Sequence, residues 1–301
     1  FGSSLCGSNV LKMLVRRFVR RTMSSVPATF HALEHGNWGK ESTVGAYDRW
    51  FGPLTRQCTP DLLSAVSAGP ARTILDVATG PGYLAEAARK EGADVTAIDF
   101  SSNMISCARA RVEDPSVKFL EADATKMPFE DLCFDGVICN FGVLHLTSPE
   151  DFFAEAMRVL KPGGQLAFTV WAALPAAEAM DVLTQVVGEH GNPHVELPQG
   201  PPFFRFADAA TCKQVLESAG FLNVLTREVP MLWEVSKPED VYTAFLEGTG
   251  RTQALLRGQT SEQSAAIQKA LASEAVRRQT SPGGPAIFKM PCALTAASKP
   301  E

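Results

Sequence analysis

Ile74-Leu75-Asp76-Val77-Ala78-Thr79-Gly80-Pro81-Gly82-Tyr83-Leu84 is the stretch on which the reading of this chain turns. An apolar, β-branched run enters a glycine-rich turn and continues into a helical pattern. Glycine lets the backbone reach positive φ and approach a ligand closely, and the turn offers unpaired N–H groups at a helix start. Downstream, strand-like runs at 94–98, 117–120, 134–140 and 165–171 alternate with helical patterns at 82–91, 102–113 and 149–160. Such alternation predicts βαβ units and a parallel sheet. Lys161-Pro162-Gly163-Gly164 marks a stop before the fifth strand.

The second element is Asp99, which closes the run Asp94-Val95-Thr96-Ala97-Ile98. An acid about 20 residues past a glycine loop, at a strand end, is placed to accept from ribose hydroxyls. Its alternative role is to cap the helix that begins near Ser102. The loop alone leaves the nucleotide open: Ala85 supplies the third small residue of a dinucleotide fingerprint. Asp76, ahead of the loop, favours instead a ligand with a cationic amine, since carboxylate and ammonium form a charge-assisted hydrogen bond.

Taken in order, Asp76-x-Ala78-x-Gly80-x-Gly82, Asp99, Glu121-Ala122-Asp123-Ala124 followed by Met127-Pro128-Phe129, Phe134-Asp135-x-Val137-x-Cys139-Asn140 and Leu160-Lys161-Pro162-Gly163-Gly164 resemble the motifs of class I S-adenosylmethionine-dependent methyltransferases. The similarity is nearest to the small-molecule branch containing the quinone C-methyltransferases. It implies S-adenosyl-L-methionine as cofactor, with Asp76, Ala78, Gly80 and Gly82 at its methionine end and Asp99 on the ribose. Phe100 and Met104 would lie beside the adenine, with Asp123 and Ala124 reading its edge and Asn140 flooring the sulfonium. The upstream Tyr47-Asp48 pair resembles the pair that covers the methionine in that branch, so Tyr47 joins the expected cofactor site.

The fold class expected is α/β: a Rossmann-like, doubly wound, mostly parallel seven-stranded sheet, helices on both faces, with a helical insertion between the last two strands. Strands six and seven are placed at 223–229 and 285–295, with Pro291 breaking the latter toward an edge or bulge. Residues 27–72 read as an N-terminal helical cap. Residues 73–301 form the methyltransferase domain, with lid or insertion segments at about 173–206 and 235–280.

Methyl transfer is an in-line displacement that rests on alignment and desolvation, and a base is needed only where the acceptor must lose a proton. His145 follows the fourth strand at the carboxyl edge of the sheet, where ligands bind in open α/β folds, and is the candidate base. For the acceptor, Phe204 and Arg205 in a Phe-Phe-Arg-Phe run, and Trp233, are candidates for an apolar wall with an anion-orienting cation. A non-catalytic cofactor-binding subunit and a nicotinamide-dependent oxidoreductase are the rival readings.

Composition bounds the partners. A net charge of -5 argues against nucleic acid, which calls for clustered Lys and Arg, and Asn140-Phe141-Gly142-Val143 lacks the Asn/Asp-Pro-Pro-aromatic motif of nucleic-acid methylation. No apolar run reaches the ~18 residues of a membrane span. Seven scattered cysteines without CxxC spacing favour neither a disulfide framework nor a metal site, so a metal-independent enzyme with a small-molecule acceptor is expected. Residues 1–26 carry Lys12, Arg16, Arg17, Arg20 and Arg21 but no acid, the composition of an organelle transit peptide. That would direct the protein to the mitochondrion or another organelle. With Met13 or Met23 as the start, the protein would be cytoplasmic.

Overall fold

A computed structural model describes residues 29–301, and the basic segment at 1–26 lies outside them. Seven strands form the main sheet: β1 (Thr73–Val77), β2 (Asp94–Asp99), β3 (Lys118–Glu121), β4 (Phe134–Asn140), β5 (Leu160–Trp171), β6 (Leu222–Val229) and β9 (Cys292–Ser298). Their order is β3-β2-β1-β4-β5-β9-β6. The first five are parallel, whereas β9 runs antiparallel between β5 and β6. The central strands are mostly apolar, as suits strands covered by helices on both faces; Ile74, Leu75, Val77, Val137 and Ile138 are fully buried.

Helices α1 (Phe30–Trp38), α2 (Glu41–Trp50), α3 (Gly52–Thr55) and α4 (Thr59–Ala65) precede the sheet. Their Phe51, Leu54, Leu62 and Val66 belong to the same buried core as the strands. Helices α5 (Tyr83–Lys90), α6 (Ser102–Arg111) and α7 (Pro149–Val159) link the parallel strands. The Ser101 hydroxyl caps α6 by accepting from Met104 N at 3.3 Å, and Pro149 opens α7 where no intrahelical N–H is needed. Helices α8 (Glu178–His190) and α9 (Ala209–Ser218) follow β5, and Gly220 at φ 94° ends α9.

The expected final strand at 285–295 is two strands. β8 (Ala286–Lys289) pairs with β7 (Leu232–Val235) in a separate two-stranded ribbon, and β9 starts afresh after Pro291. Proline has no ladder donor, so pairing lapses there; Met290 N donates instead to Met231 O. The insertion between β6 and β9 thus holds this ribbon together with helices α10 (Asp240–Glu247), α11 (Arg251–Arg257) and α12 (Ser261–Val276).

The strand order reverses between β1 and β4, which opens a crevice beyond their carboxyl ends. Two non-glycine residues there adopt left-handed backbone, Ala78 at φ 55° and Phe141 at φ 54°. Strained dihedrals of this kind are held only where surrounding structure over-determines them.

Candidate active site

The crevice is a cleft lined on one side by Ala78, Gly80, Asp99, Phe100, Met104, Asp123, Ala124 and Asn140, and on the other by Glu34, Trp38, Tyr47, Phe51, Leu144, His145, Phe203 and Arg251. The first group comes from the turns that follow β1, β2, β3 and β4. Thr79 N donates to Ile98 O at 3.0 Å and Ala122 N to Asp99 O at 3.0 Å, which binds these turns into one rim.

Asp99 is 6% exposed. Its Oδ2 accepts from Gly80 N and its Oδ1 from Ser101 N, both at 2.9 Å. The helix cap is therefore Ser101, and Asp99 braces the glycine loop from the cleft wall. Burial pushes the Asp99 carboxyl up to about 6, against the two backbone N–H groups that favour its charge.

Asp76 does not line the cleft; it lies beneath the loop at 1% exposure. Its Oδ2 accepts from the Thr79 hydroxyl at 2.6 Å, while Oδ1 has no partner. An orphaned buried carboxylate oxygen is costly, and a ligand ammonium is the group that would satisfy it. The residues thus suit a sulfonium nucleoside with an amino-acid end. Burial lifts Asp76 to about 7, with Asp99 adding to the rise.

Both carboxylates have native values above the unfolded 3.8. Each therefore contributes stability that is fully present below pH ~4 and lost as pH rises through about 6 and about 7. Asp76→Asn removes the larger part of this loss. In thermal melts of the free protein it should match wild type at pH 4 and exceed it at pH 8, by a few kcal/mol at ~1.4 kcal/mol per pH unit. Parallel pH profiles for the two proteins would refute the assignment.

Gly82 serves packing rather than the cleft. It sits at φ 86° before α5, and a Cβ there would stand 3.0 Å from Ala108 Cβ of α6. Asn140 floors the cleft with both ends of its amide hydrogen-bonded. Oδ1 accepts from Thr169 Oγ1 at 2.6 Å and Cys58 Sγ at 3.2 Å, and Nδ2 donates to Thr55 O at 3.0 Å. Asp123 Oδ1 accepts from Thr125 N and Oγ1, both at 2.8 Å, shaping the turn after β3. Tyr47 lies edge-on to Trp38 with centroids 5.5 Å apart, and burial raises its phenol to about 12. Its neighbour Asp48 is held by Arg111 Nη2 at 2.7 Å and by the Tyr83 hydroxyl, so it clasps the cap to α5 and α6.

The structure places the three expected acceptor residues away from the cleft lining. Arg205 Nη2 pairs with Glu150 Oε1 at 2.5 Å and its guanidinium lies over the Phe206 ring. Phe204 packs on Phe203, which itself reaches the cleft. Trp233, 2% exposed, is wedged among Phe51, Phe245 and Phe288 and donates to Trp50 O at 3.0 Å. Sequence reasoning instead missed Glu34, Trp38 and Arg251. The available signal was local: Glu34 and Trp38 stand four apart, on one helix face.

Among the described residues no cluster of three or more His, Cys, Asp or Glu side chains could hold a metal ion, and no helix is long and apolar enough to cross a membrane.

A family model described as a methyltransferase domain matches residues 75–168. Over 176 residues the chain is 35% identical to the demethylmenaquinone methyltransferase of Chlorobaculum tepidum, a match covering 54% of this chain and 70% of that one. The chain belongs to the class I S-adenosylmethionine-dependent methyltransferases. The chain is also 40% identical over 112 residues to the demethylmenaquinone methyltransferase of Renibacterium salmoninarum, spanning 37% of its own length and about half, 46%, of that relative. The fold resembles Haemonchus contortus phosphoethanolamine N-methyltransferase 2 in complex with S-adenosyl-L-methionine, with a TM-score of 0.56 at 18% identity. That similarity covers 91% of this chain and 60% of the solved one.

Proposed function

We propose that the protein binds S-adenosylmethionine along the β1–β4 rim and methylates a small, apolar acceptor of the quinol or phenol class, with His145 as general base. The observation that carries this reading is that Gly80, Asp99, Asp123 and Asn140 share one cleft with His145. The bound cofactor supplies an electrophilic methyl on a sulfonium. Asp76 and the loop would neutralise and orient its amino-acid end, Asp99 would accept from the ribose, and Phe100 and Met104 would flank the base. Trp38, Tyr47, Phe51, Leu144 and Phe203 give the opposite side an apolar, water-excluding wall.

His145 Nδ1 lies 2.8 Å from Glu34 Oε2, and its other ring nitrogen has no hydrogen-bond partner among the described residues. A quinol hydroxyl placed against that nitrogen would pass its proton there as a ring carbon takes the methyl; the sulfur–methyl bond breaks to leave a neutral thioether, and the ring C–H proton is then lost while the hydroxyl regains one, which restores the aromatic ring. The relatives named demethylmenaquinone methyltransferases support an aromatic acceptor of this kind.

Calorimetry with S-adenosylhomocysteine and a radiolabelled-methyl assay on demethylated naphthoquinols test the reading. Asp99→Ala should weaken homocysteine-nucleoside binding by about 1–3 kcal/mol, since ribose hydroxyls lose a charged acceptor. Unchanged affinity would remove Asp99 from the site, and tight NAD binding without response to the homocysteine nucleoside would overturn the proposal.

A further inference from the structure

We propose that Glu34, on the N-terminal cap, is a positioning residue that fixes which nitrogen of His145 carries the proton and so makes the other available as a base; this rests on the reading of His145 just given. Glu34 sits on α1, 111 residues from His145 in sequence, in a region the family motifs do not reach. It is 2% exposed. A carboxylate on the buried face of a helix is expensive to desolvate and adds little net stability even when paired, which makes its presence beside a cleft a mark of function.

The local geometry determines the proton's place. Glu34 Oε2 receives the Trp38 indole N–H at 2.9 Å and stands 2.8 Å from His145 Nδ1. A carboxylate only accepts, so the short contact to Nδ1 requires a proton on Nδ1 and leaves Nε2 with its lone pair. The indole also lies 3.3 Å from Nδ1, but with Nδ1 protonated that approach is not a hydrogen bond, and Oε2 takes both donors. Burial by itself would raise the Glu34 carboxyl; His145, Arg251 and Trp38 together hold it below the usual carboxylate range. It therefore stays an anion and an obligate acceptor.

The surroundings hold Glu34 in place. Arg251 Nε stands 3.5 Å from Oε1, balancing the charge without a hydrogen bond. The Arg251 guanidinium is itself fixed, donating to Pro201 O at 2.8 Å and Leu144 O at 3.2 Å over the Phe30 ring. Asn37 Nδ2 donates to Gly250 O at 3.2 Å, joining α1 to the turn before α11. A Cβ on Gly250 would come within 3.0 Å of Glu34 Oε2. Glycine is what lets this turn close over the carboxylate.

The test is the tautomer itself, read by 15N chemical shifts and long-range couplings of the His145 ring in the full chain. Neutral His145 should carry its proton on Nδ1, the form free histidine disfavours. Glu34→Leu should move the proton to Nε2. Glu34→Gln, which keeps the volume and the Trp38 bond, should give a mixture and guards against a Leu variant that fails to fold. With a methylated acceptor in hand, both variants should lose on the order of 10²-fold in kcat with KM for the cofactor little changed. A wild-type His145 protonated on Nε2, or a tautomer indifferent to both substitutions, overturns the assignment. The ring readout needs no turnover. An Nδ1–H ring in a protein that methylates no quinol would uphold Glu34 and reject the acceptor class instead.

Discussion

His145→Gln is expected to lower kcat by about 10²–10⁴-fold, the usual share of a positioned acid–base group, which corresponds to roughly 3–5 kcal/mol of barrier. Glutamine keeps the size and can still donate to Glu34, but it cannot take up a proton. Binding of S-adenosylhomocysteine should remain close to wild type, because Asp99, Gly80 and Asp123 lie on other turns of the rim. The deficit should shrink as pH approaches the acceptor's own ionisation, near 10 for a phenol, since an ionised acceptor has no proton to give. Steady-state assays from neutral pH upward measure this. A change of less than threefold at neutral pH would place the base elsewhere.

Gly142→Val should produce the largest structural effect. A Cβ at Gly142 would sit 2.6 Å from both Ala78 Cβ and Cys139 Sγ. Neither neighbour is the free end of a flexible chain: Ala78 is locked at positive φ and Cys139 is 1% exposed at the end of β4. Overpacking in such places costs about 1–3 kcal/mol and sometimes more, and two blocked directions put this site at the upper end. The clash also presses on the turn that carries Gly80, so affinity for S-adenosylhomocysteine should fall at least tenfold together with the melting temperature. Differential scanning fluorimetry with and without the nucleoside reads both. A variant with wild-type stability and affinity would show that the two turns separate at no cost.

The parts of this protein legible in the sequence are those written in consecutive residues. β4 lies at the expected 134–140, and β2 runs one residue past the expected 94–98. β5 begins at Leu160, five residues earlier than its composition suggests, because Phe134 pairs with Leu160 before the register shifts. The helix at Arg251–Arg257 falls inside the helical insertion expected at about 235–280, and Gly250 and Gly258 bound it. The same division runs through the site. Ala78, Gly80, Asp99, Phe100, Met104, Asp123, Ala124 and Asn140 line the cleft as local motifs indicated. Glu34 and Trp38 meet His145, and Arg251 meets Glu34, only through tertiary packing, across separations of more than one hundred residues. Composition could not tell that Arg205 turns toward Glu150, or that Trp233 fills the core beneath the cap.

Thr55 and Cys58 reach from the cap to the amide of Asn140, one accepting from its nitrogen and the other donating to its oxygen. The floor of the cleft and the leading helices are thus one hydrogen-bonded body. A fragment cut at Thr73 would carry the glycine loop, Asp99 and the later motifs yet leave that amide short of two partners and strip Leu62 and Val66 from the apolar face they cover. Anyone trimming this chain to the span matched by the family model would obtain the signature of the enzyme without its working surface.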